Sequence, residues 1–214
     1  DNDNSGVLKY VRIEFSGYVF SQNVEINGLT LGAVGSGTTI DYVQCSFIND
    51  DSFEWFSGAV KCSHLVSYRG VDDEFDTDNG FSGTVQFCLG VRDPQIADNS
   101  YSLASGGSNS EGFESDNDAA GSTNSPKTRA IFSNITMVGP LRGVRTSTNL
   151  AAIHPSFRRV ARIRRNSELR LLNSVLMDFP RGIHIDGTAC EALAAAGTSA
   201  ASLTGLKFKN NIVA

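Results

Sequence analysis

Six short segments carry acidic or polar side chains at matching offsets: NVEING from Asn23, SFEWFSG from Ser52, EFDTDNG from Glu74, GFESDND from Gly112, GVRTSTN from Gly143 and GIHIDG from Gly182. Strand alternation turns Val24/Ile26, Phe53/Trp55, Phe75/Thr77, Phe113/Ser115, Val144/Thr146 and Ile183/Ile185 to one face. The opposite face then presents two columns. One reads Glu25, Glu54, Asp76, Glu114, Arg145, His184; the other reads Asn27, Phe56, Asp78, Asp116, Ser147, Asp186. If the segments stack as neighbouring strands, about 4.8 Å apart, four successive carboxylates become neighbours. Two unit charges at ~5 Å repel by roughly 1 kcal/mol in water and by several times more at an effective dielectric of 20. A bound cation, a shared proton or full solvation relieves that repulsion.

Each relief implies a chemistry. Asp76, Asp78, Glu114 and Asp116 form a two-by-two oxygen cluster, with Asp72, Asp73 and Asp118 close in sequence. Such a cluster suits a hard cation, and Ca²⁺ accepts irregular oxygen shells. FDTDNG is a weak match to the acidic loop of an EF-hand and lacks its distal Glu. The same four acids are the candidate catalytic pair of a glycan-cleaving enzyme. Carboxylates one rung apart (about 5 Å) or two rungs apart (about 9–10 Å) bracket the spacings of retaining and inverting glycosidases. Arg145 and His184 would then stabilise an anionic sugar or transfer a proton, and Phe56 would stack on a sugar ring. Phe56, Arg145 and His184 are also the candidate ligand contacts if the face only binds.

The elements that must position these side chains are short strands. VLKYVRIEFSG from Val7, TIDYVQCSFIND from Thr39, HLVSYRGVDD from His64, TVQFCLGVRDP from Thr84, RAIFSNITMVGP from Arg129, LRLLNSVLMDFP from Leu169 and LKFKNNIVA from Leu206 recur between polar turns. A repeat of roughly 20–30 residues built of short strands is a solenoid signature. No long amphipathic helix alternates with the strands; the one helical stretch is Ala189–Ala196. The pattern predicts one all-β domain over residues 1–214, a right-handed parallel β-helix with rungs of about 22 residues. Residues 93–111, 117–127 and the Arg-rich 146–166 read as loop insertions, the kind of segment that carries binding function on a solenoid. Ile212–Ala214 reads as the start of a further rung, so the chain is expected to be part of a longer one.

Composition narrows the partners. The 214 residues are 40% apolar, which supports a continuous core. No apolar run approaches the ~20 residues of a membrane-spanning helix. Residues 1–126 hold 19 acids and 5 bases (−14) and residues 127–214 hold 4 acids and 13 bases (+9), which sum to the net −5. Arg158, Arg159, Arg162, Arg164, Arg165 and Arg170 fit either acidic glycans or the chain's own acidic loops. Nucleic acid is not an expected partner, because the net charge is negative and aromatics are sparse around these arginines. Cys45, Cys62, Cys88 and Cys190 are too scattered for a metal site or a disulfide framework and read as buried free thiols.

The segments NSGVLKYVRIEFSG, EINGLTLGAVGSGTTIDYVQ, DDSFEWFSG, DDEFDTDNGFSGTVQF, GFESDND and RRNSELRLLNSVLMDFPRGIHIDG together resemble a family of secreted or cell-surface parallel β-helix proteins of Bacteroidota and related bacteria. The resemblance spans nearly the whole chain and implies an extracellular address, not a catalytic residue. More distantly the architecture is similar to that of pectate lyases and polygalacturonases, whose catalytic motifs are not evident here. The resulting expectation is a non-catalytic module for adhesion, glycan contact or surface assembly that binds Ca²⁺ and meets an extracellular glycan or cell-surface component. The alternatives are a polysaccharide lyase or glycoside hydrolase using the acidic ladder, and a filament or array subunit that associates end to end.

Overall fold

A computed structural model describes residues 2–21, 24–98, 109–196 and 205–214. They form twenty strands, numbered β1 to β20 in chain order, and two short helices. Three parallel ladders wind into a right-handed β-helix. The first holds β4 (Leu29–Gly32), β6 (Phe53–Phe56), β9 (Phe75–Asp78), β12 (Phe113–Ser115), β15 (Arg159–Ile163) and β18 (Arg181–Ile185). The second holds β7 (Lys61–Ser63), β10 (Thr84–Gln86), β13 (Ile131–Ser133), β16 (Arg170–Leu172) and β19 (Lys207–Lys209). The third holds β8 (Val66–Tyr68), β11 (Leu89–Val91), β14 (Thr136–Val138), β17 (Val175–Met177) and β20 (Ile212–Val213). The longer β5 (Thr39–Ser46) pairs with β7 through its first half and with β8 through its second, and β1 (Val7–Glu14) lies along β5. A small antiparallel pair, β2 (Val19–Ser21) and β3 (Val24–Glu25), stands apart from the ladders.

The repeat length follows from the register. Phe53 lies beside Phe75, 22 residues on, and the period lengthens to 38 between Phe75 and Phe113 because a loop is inserted. Alternation places Phe53, Trp55, Phe75 and Phe113 inside, where they pack with Phe81 and Phe132 in stacked, tilted and edge-on contacts at centroid separations of 5.1 to 6.3 Å. The interior is therefore a column of aromatic rings, each rung covering the next. The four cysteines are buried free thiols, as their scatter suggests, and burial pushes those of Cys45, Cys62 and Cys88 up to about 12.

Between the second and third ladders the chain turns through one residue in the left-handed region. Tyr10, Tyr42, His64, Phe87, Asn134, Asn173 and Asn210 occupy this corner with φ between 50° and 58°. That conformation costs a non-glycine residue roughly 1–2 kcal/mol, least for Asn. The aromatic corners offset the cost by stacking: Tyr10 on Tyr42 at 4.9 Å, Tyr42 on His64 at 4.3 Å and His64 on Phe87 at 5.7 Å. The asparagine corners do so by hydrogen bonding, with Asn210 Nδ2 donating to Asn173 Oδ1 at 3.1 Å.

The three outer faces differ in chemistry. The first ladder is charged outside. On the third, register places Val66, Leu89, Thr136, Val175 and Ile212 in one outward column. Tyr68, Val91, Val138 and Met177 make the other.

Two expected strands are absent from the first ladder. Ile26 is exposed and Glu25 ends β3, so β4 supplies that rung instead. Val144 is 80% exposed, and Thr146 caps α1 (Ser147–Ala151), its hydroxyl accepting from the Asn149 amide at 3.1 Å. The rung comes from β15, inside the stretch expected as a loop, because Ala161 and Ile163 are the apolar alternating pair with a register partner in Phe113–Ser115. The expected helix is α2 (Thr188–Ala196). Of the expected loop 93–111, residues 99–108 lie outside the described residues.

Truncation of one interior ring tests the stacked core. Phe75→Ala should lower the unfolding free energy by about 3–5 kcal/mol in guanidinium titrations, whereas Phe87→Ala, at a corner 54% exposed, should cost under ~1 kcal/mol.

Candidate functional site

Register fixes the outward columns of the first ladder. The first reads Thr30, Glu54, Asp76, Glu114, Arg162, His184. Glu54, Asp76, Glu114 and His184 therefore stand where alternation put them, while Thr30 replaces Glu25 and Arg162 replaces Arg145. In the second column Phe56 lies beside Asp78. Asp116, Arg164 and Asp186 continue it, their amides donating to the carbonyls of Thr77, Ser115 and Ile163 at 2.9, 3.0 and 2.8 Å.

The two ends of this face are electrostatically different. Toward the C-terminus the acids are matched by arginines. Arg164 pairs with Glu114 and, through Nε at 2.8 Å, with Asp116; Arg165 reaches Asp116 at 2.7 Å; Arg162 reaches Asp186 at 2.8 Å and Glu114 at 3.6 Å. Burial pulls the Arg164 pKa down, yet Glu114 and Asp116 outweigh it and hold it above the ordinary value. Arg159 similarly pairs with the buried Glu111. Much of the Arg-rich run is thus spent on the chain's own acids. The expected quartet of Asp76, Asp78, Glu114 and Asp116 is accordingly divided: Glu114 and Asp116 are held by arginines, and Asp78 accepts from the Asn79 amide at 2.5 Å.

Toward the N-terminus the acids gather without arginines. A groove of about 480 Å³ is lined by Glu25, Asn27, Asp50, Asp51, Glu54, Phe56, Asp72, Asp73, Asp76 and Glu114, with Thr30 at its edge. Carboxylate oxygens of Asp51, Glu54 and Asp76 lie within 4.8 Å of one another, and so do those of Asp50, Asp51 and Asp72. Asp76 Oδ1 is buried with no hydrogen-bond partner. Burial, reinforced by Glu54 and Glu114, lifts the Asp76 carboxyl well above the usual carboxylate range. Burial likewise raises Asp51 and Asp73 strongly, Asp50 to about 7, Glu54 to about 8 and Glu114 to about 7. Asn27 Nδ2 donates to Glu54 and partly opposes its shift.

A ladder of side-chain to main-chain bonds builds the groove wall. Asp51 Oδ1 accepts the Asp73 amide at 2.8 Å, Asp73 Oδ1 accepts the Glu111 amide at 2.6 Å, and Glu111 Oε2 accepts the Arg159 amide at 2.8 Å. Each carboxylate thereby fixes the rung above it. Behind the wall Arg92, fully buried, pairs with Glu74 and donates to the carbonyls of Gly70 (2.9 Å), Asp72 and Glu111. It pins the turn that carries Asp72 and Asp73. Asp50, Asp51, Asn27 and this buried pair were not among the expected site residues. The doublets NDDSF and VDDEF, 22 residues apart, are the sequence signal that marks the aspartates.

Of the remaining candidates, His184 and Arg145 stand away from the groove. His184 is three rungs beyond Asp76, roughly 14 Å along the ladder. Its Nδ1 is buried without a partner, and burial, with Arg159 nearby, lowers its pKa. Arg145 donates through Nε to the Pro180 carbonyl at 2.7 Å, off the column altogether. Phe56 alone of the three ligand candidates borders the groove.

The donor set fits a hard divalent cation. Oxygens that share one Ca²⁺ at about 2.3–2.6 Å cannot be more than about 5 Å apart, and the Asp51, Glu54 and Asp76 oxygens meet that limit. Among the described residues no helix is long and apolar enough to cross a membrane.

Comparison with known proteins agrees with the coil. Searches of curated proteins and of solved structures return no match. A family model described as a pectate-lyase like beta helix domain matches residues 1–214, the whole chain. The chain therefore belongs to the family of pectate-lyase-like β-helix domains.

Proposed function

We propose that this chain is a non-catalytic, glycan-contacting β-helix module of the cell exterior whose acidic groove holds a divalent cation, Ca²⁺ in the extracellular setting. The observation that carries the reading is the trio of Asp51, Glu54 and Asp76 carboxylates, with an oxygen of each within 4.8 Å of the others, beside the buried and partnerless Oδ1 of Asp76. A cation supplies the missing partner and offsets both the burial and the mutual repulsion that keep these acids protonated. Phe56, on the groove rim, offers an apolar face to a sugar ring, and a groove-bound cation attracts carboxylates or hydroxyls of an acidic glycan. The arginines of the same face are neutralised by Glu114, Asp116 and Asp186, which makes them struts and poor proton acceptors.

A second reading is a polysaccharide lyase or glycoside hydrolase. It is favoured by Glu54 and Glu114, whose carboxyls are raised to about 8 and about 7 and can serve as proton donors near neutral pH. Reducing-end and unsaturated-product assays on uronate, sulfated and neutral glycans separate the two. The module reading expects retention of one of these glycans without turnover. Turnover abolished by Glu54→Gln would establish the enzyme instead.

Calorimetric titration of chelator-treated protein should show Ca²⁺ binding in the range of extracellular modules, with Kd about 10⁻⁴–10⁻³ M. At a hundredfold excess over Kd the folded state should gain about 2.7 kcal/mol. Asp76→Asn should weaken binding by at least about tenfold and Asp116→Asn by much less. Absence of heat and of a melting shift would remove the cation from the reading.

The metal-free protein should also show an unusual pH dependence. Asp50, Glu54 and Glu114 have folded pKa values above those of the unfolded chain, so between about pH 4 and pH 8 the folded state binds more protons. Stability is then lost as pH rises through about 7 to 8. Melting in chelator should fall from pH 5.5 to pH 8.5, and Ca²⁺ should flatten or reverse that slope. A chelated protein whose melting is level across this range would contradict the raised carboxyls.

A further inference from the structure

Residues 93–98, 109–110 and 139–157 form a small lobe outside the three ladders. Ala97, Leu141, Leu150, Ile153 and Phe157 give it an apolar centre of its own. Gln95 Nε2 donates to the Ala152 carbonyl at 2.7 Å, the His154 amide to the Pro94 carbonyl at 2.8 Å, and Ser156 Oγ to the Asp98 carbonyl at 2.6 Å. Ser110 and Phe157 join in a single parallel bridge. Most of this lobe lies in the stretches that read as binding loops in the sequence, yet none of its described residues lines the acidic groove.

The lobe meets the coil behind the groove wall. Ser110 is fully buried; its Oγ accepts the Asp98 amide at 2.9 Å and donates to the Val71 carbonyl at 2.7 Å. The Phe157 ring packs on the Arg92 guanidinium at 5.4 Å, and Arg92 in turn holds the carbonyls of Gly70 and Asp72. Turn 70–73 is therefore clamped from the lobe side by two side chains. The same turn presents the Asp73 amide to Asp51 Oδ1 at 2.8 Å. A continuous series of bonds thus runs from the lobe through Ser110 and Arg92 to the turn, and from the Asp73 amide to a carboxylate of the groove. A donor fixed in this way orients the carboxylate before any ion binds.

We propose that Ser110 is the positioning residue through which the lobe sets which divalent cation the groove prefers. The inference rests on the cation reading of Asp51, Glu54 and Asp76 and adds what makes that site selective. Ca²⁺ takes oxygens at about 2.3–2.6 Å in irregular shells, whereas Mg²⁺ demands about 2.0–2.1 Å in near-octahedral geometry and keeps several of its waters. A wall that cannot contract keeps the three carboxylates from closing on the smaller ion and presents them ready for the larger one. Releasing turn 70–73 lets Asp51 swing. Ca²⁺ then loses the benefit of a prepared cage, while hydrated Mg²⁺, which never used it, loses little.

Calorimetric titrations of the full chain with CaCl2 and, separately, with MgCl2 read the preference. Ser110→Ala should weaken Ca²⁺ binding about tenfold and Mg²⁺ binding by about twofold or less, so that the ratio of the two affinities falls about fivefold or more. Phe157→Leu, which removes the ring beside Arg92 and keeps the position apolar, should shift the ratio in the same direction and keeps the test valid if Ser110→Ala perturbs the fold. Leu176→Ala, buried on β17 of the third ladder, is the control. It should lower the melting temperature and leave the ratio unchanged. A ratio unmoved by both lobe variants, or moved as far by Leu176→Ala, would overturn the inference and leave the cation site standing. Absence of Ca²⁺ binding to the unaltered chain would overturn both.

Discussion

Register stacking governs this molecule. In a parallel coil each rung lies on the next at about 4.8 Å, so any residue type repeated at rung spacing becomes a column of like neighbours. For rings this is favourable: Phe53, Phe75 and Phe113 build the interior by lying on one another. For carboxylates it is costly, and the protein meets that cost in two ways. At one end of the first ladder it places Arg162, Arg164 and Arg165 beside Glu114, Asp116 and Asp186. At the other end Asp51, Glu54 and Asp76 share a groove without arginines, and their carboxyls stay protonated to unusually high pH.

The same stacking makes turns into structural members. Asp51, Asp73 and Glu111 each accept the amide of the rung above, so Asp51 and Asp73, which line the groove, also hold its wall together. Arg92 secures that wall from inside, with Glu74 as its counter-charge and main-chain carbonyls as its acceptors. A groove built in this way is rigid before any ligand arrives, which suits a cation site whose oxygens must already lie close together. The opposite case is the third ladder, where stacking repeats valine, leucine and methionine outward and leaves Thr136 as a polar interruption.

A large part of this was legible in the chain. The period of the β runs, the scarcity of helix and the alternation of Phe53/Trp55, Phe75/Thr77 and Phe113/Ser115 specify the coil and the membership of Glu54, Asp76 and Glu114 in one column, because alternation has only two faces to choose between. It failed at Val24/Ile26 and Val144/Thr146, where short alternating runs occur outside the ladder. Two residues of matching polarity do not distinguish a rung from a hairpin or a helix cap. β15 was hidden for the converse reason: its arginines read as a loop although Ala161 and Ile163 alternate beneath them.

What the sequence determined by itself is the architecture and the presence of an acidic column, since both follow from local periodicity. What the tertiary structure decided is which acids act together. Insertions between rungs change the sequence distance between stacked neighbours, so only the coordinates show that Arg162 and Arg164 neutralise Glu114 and Asp116, and that Asp51, from the turn before β6, joins Glu54 and Asp76 in the groove. Charge compensation is a property of distances between side chains, and a one-dimensional pattern carries those distances only where the repeat is unbroken.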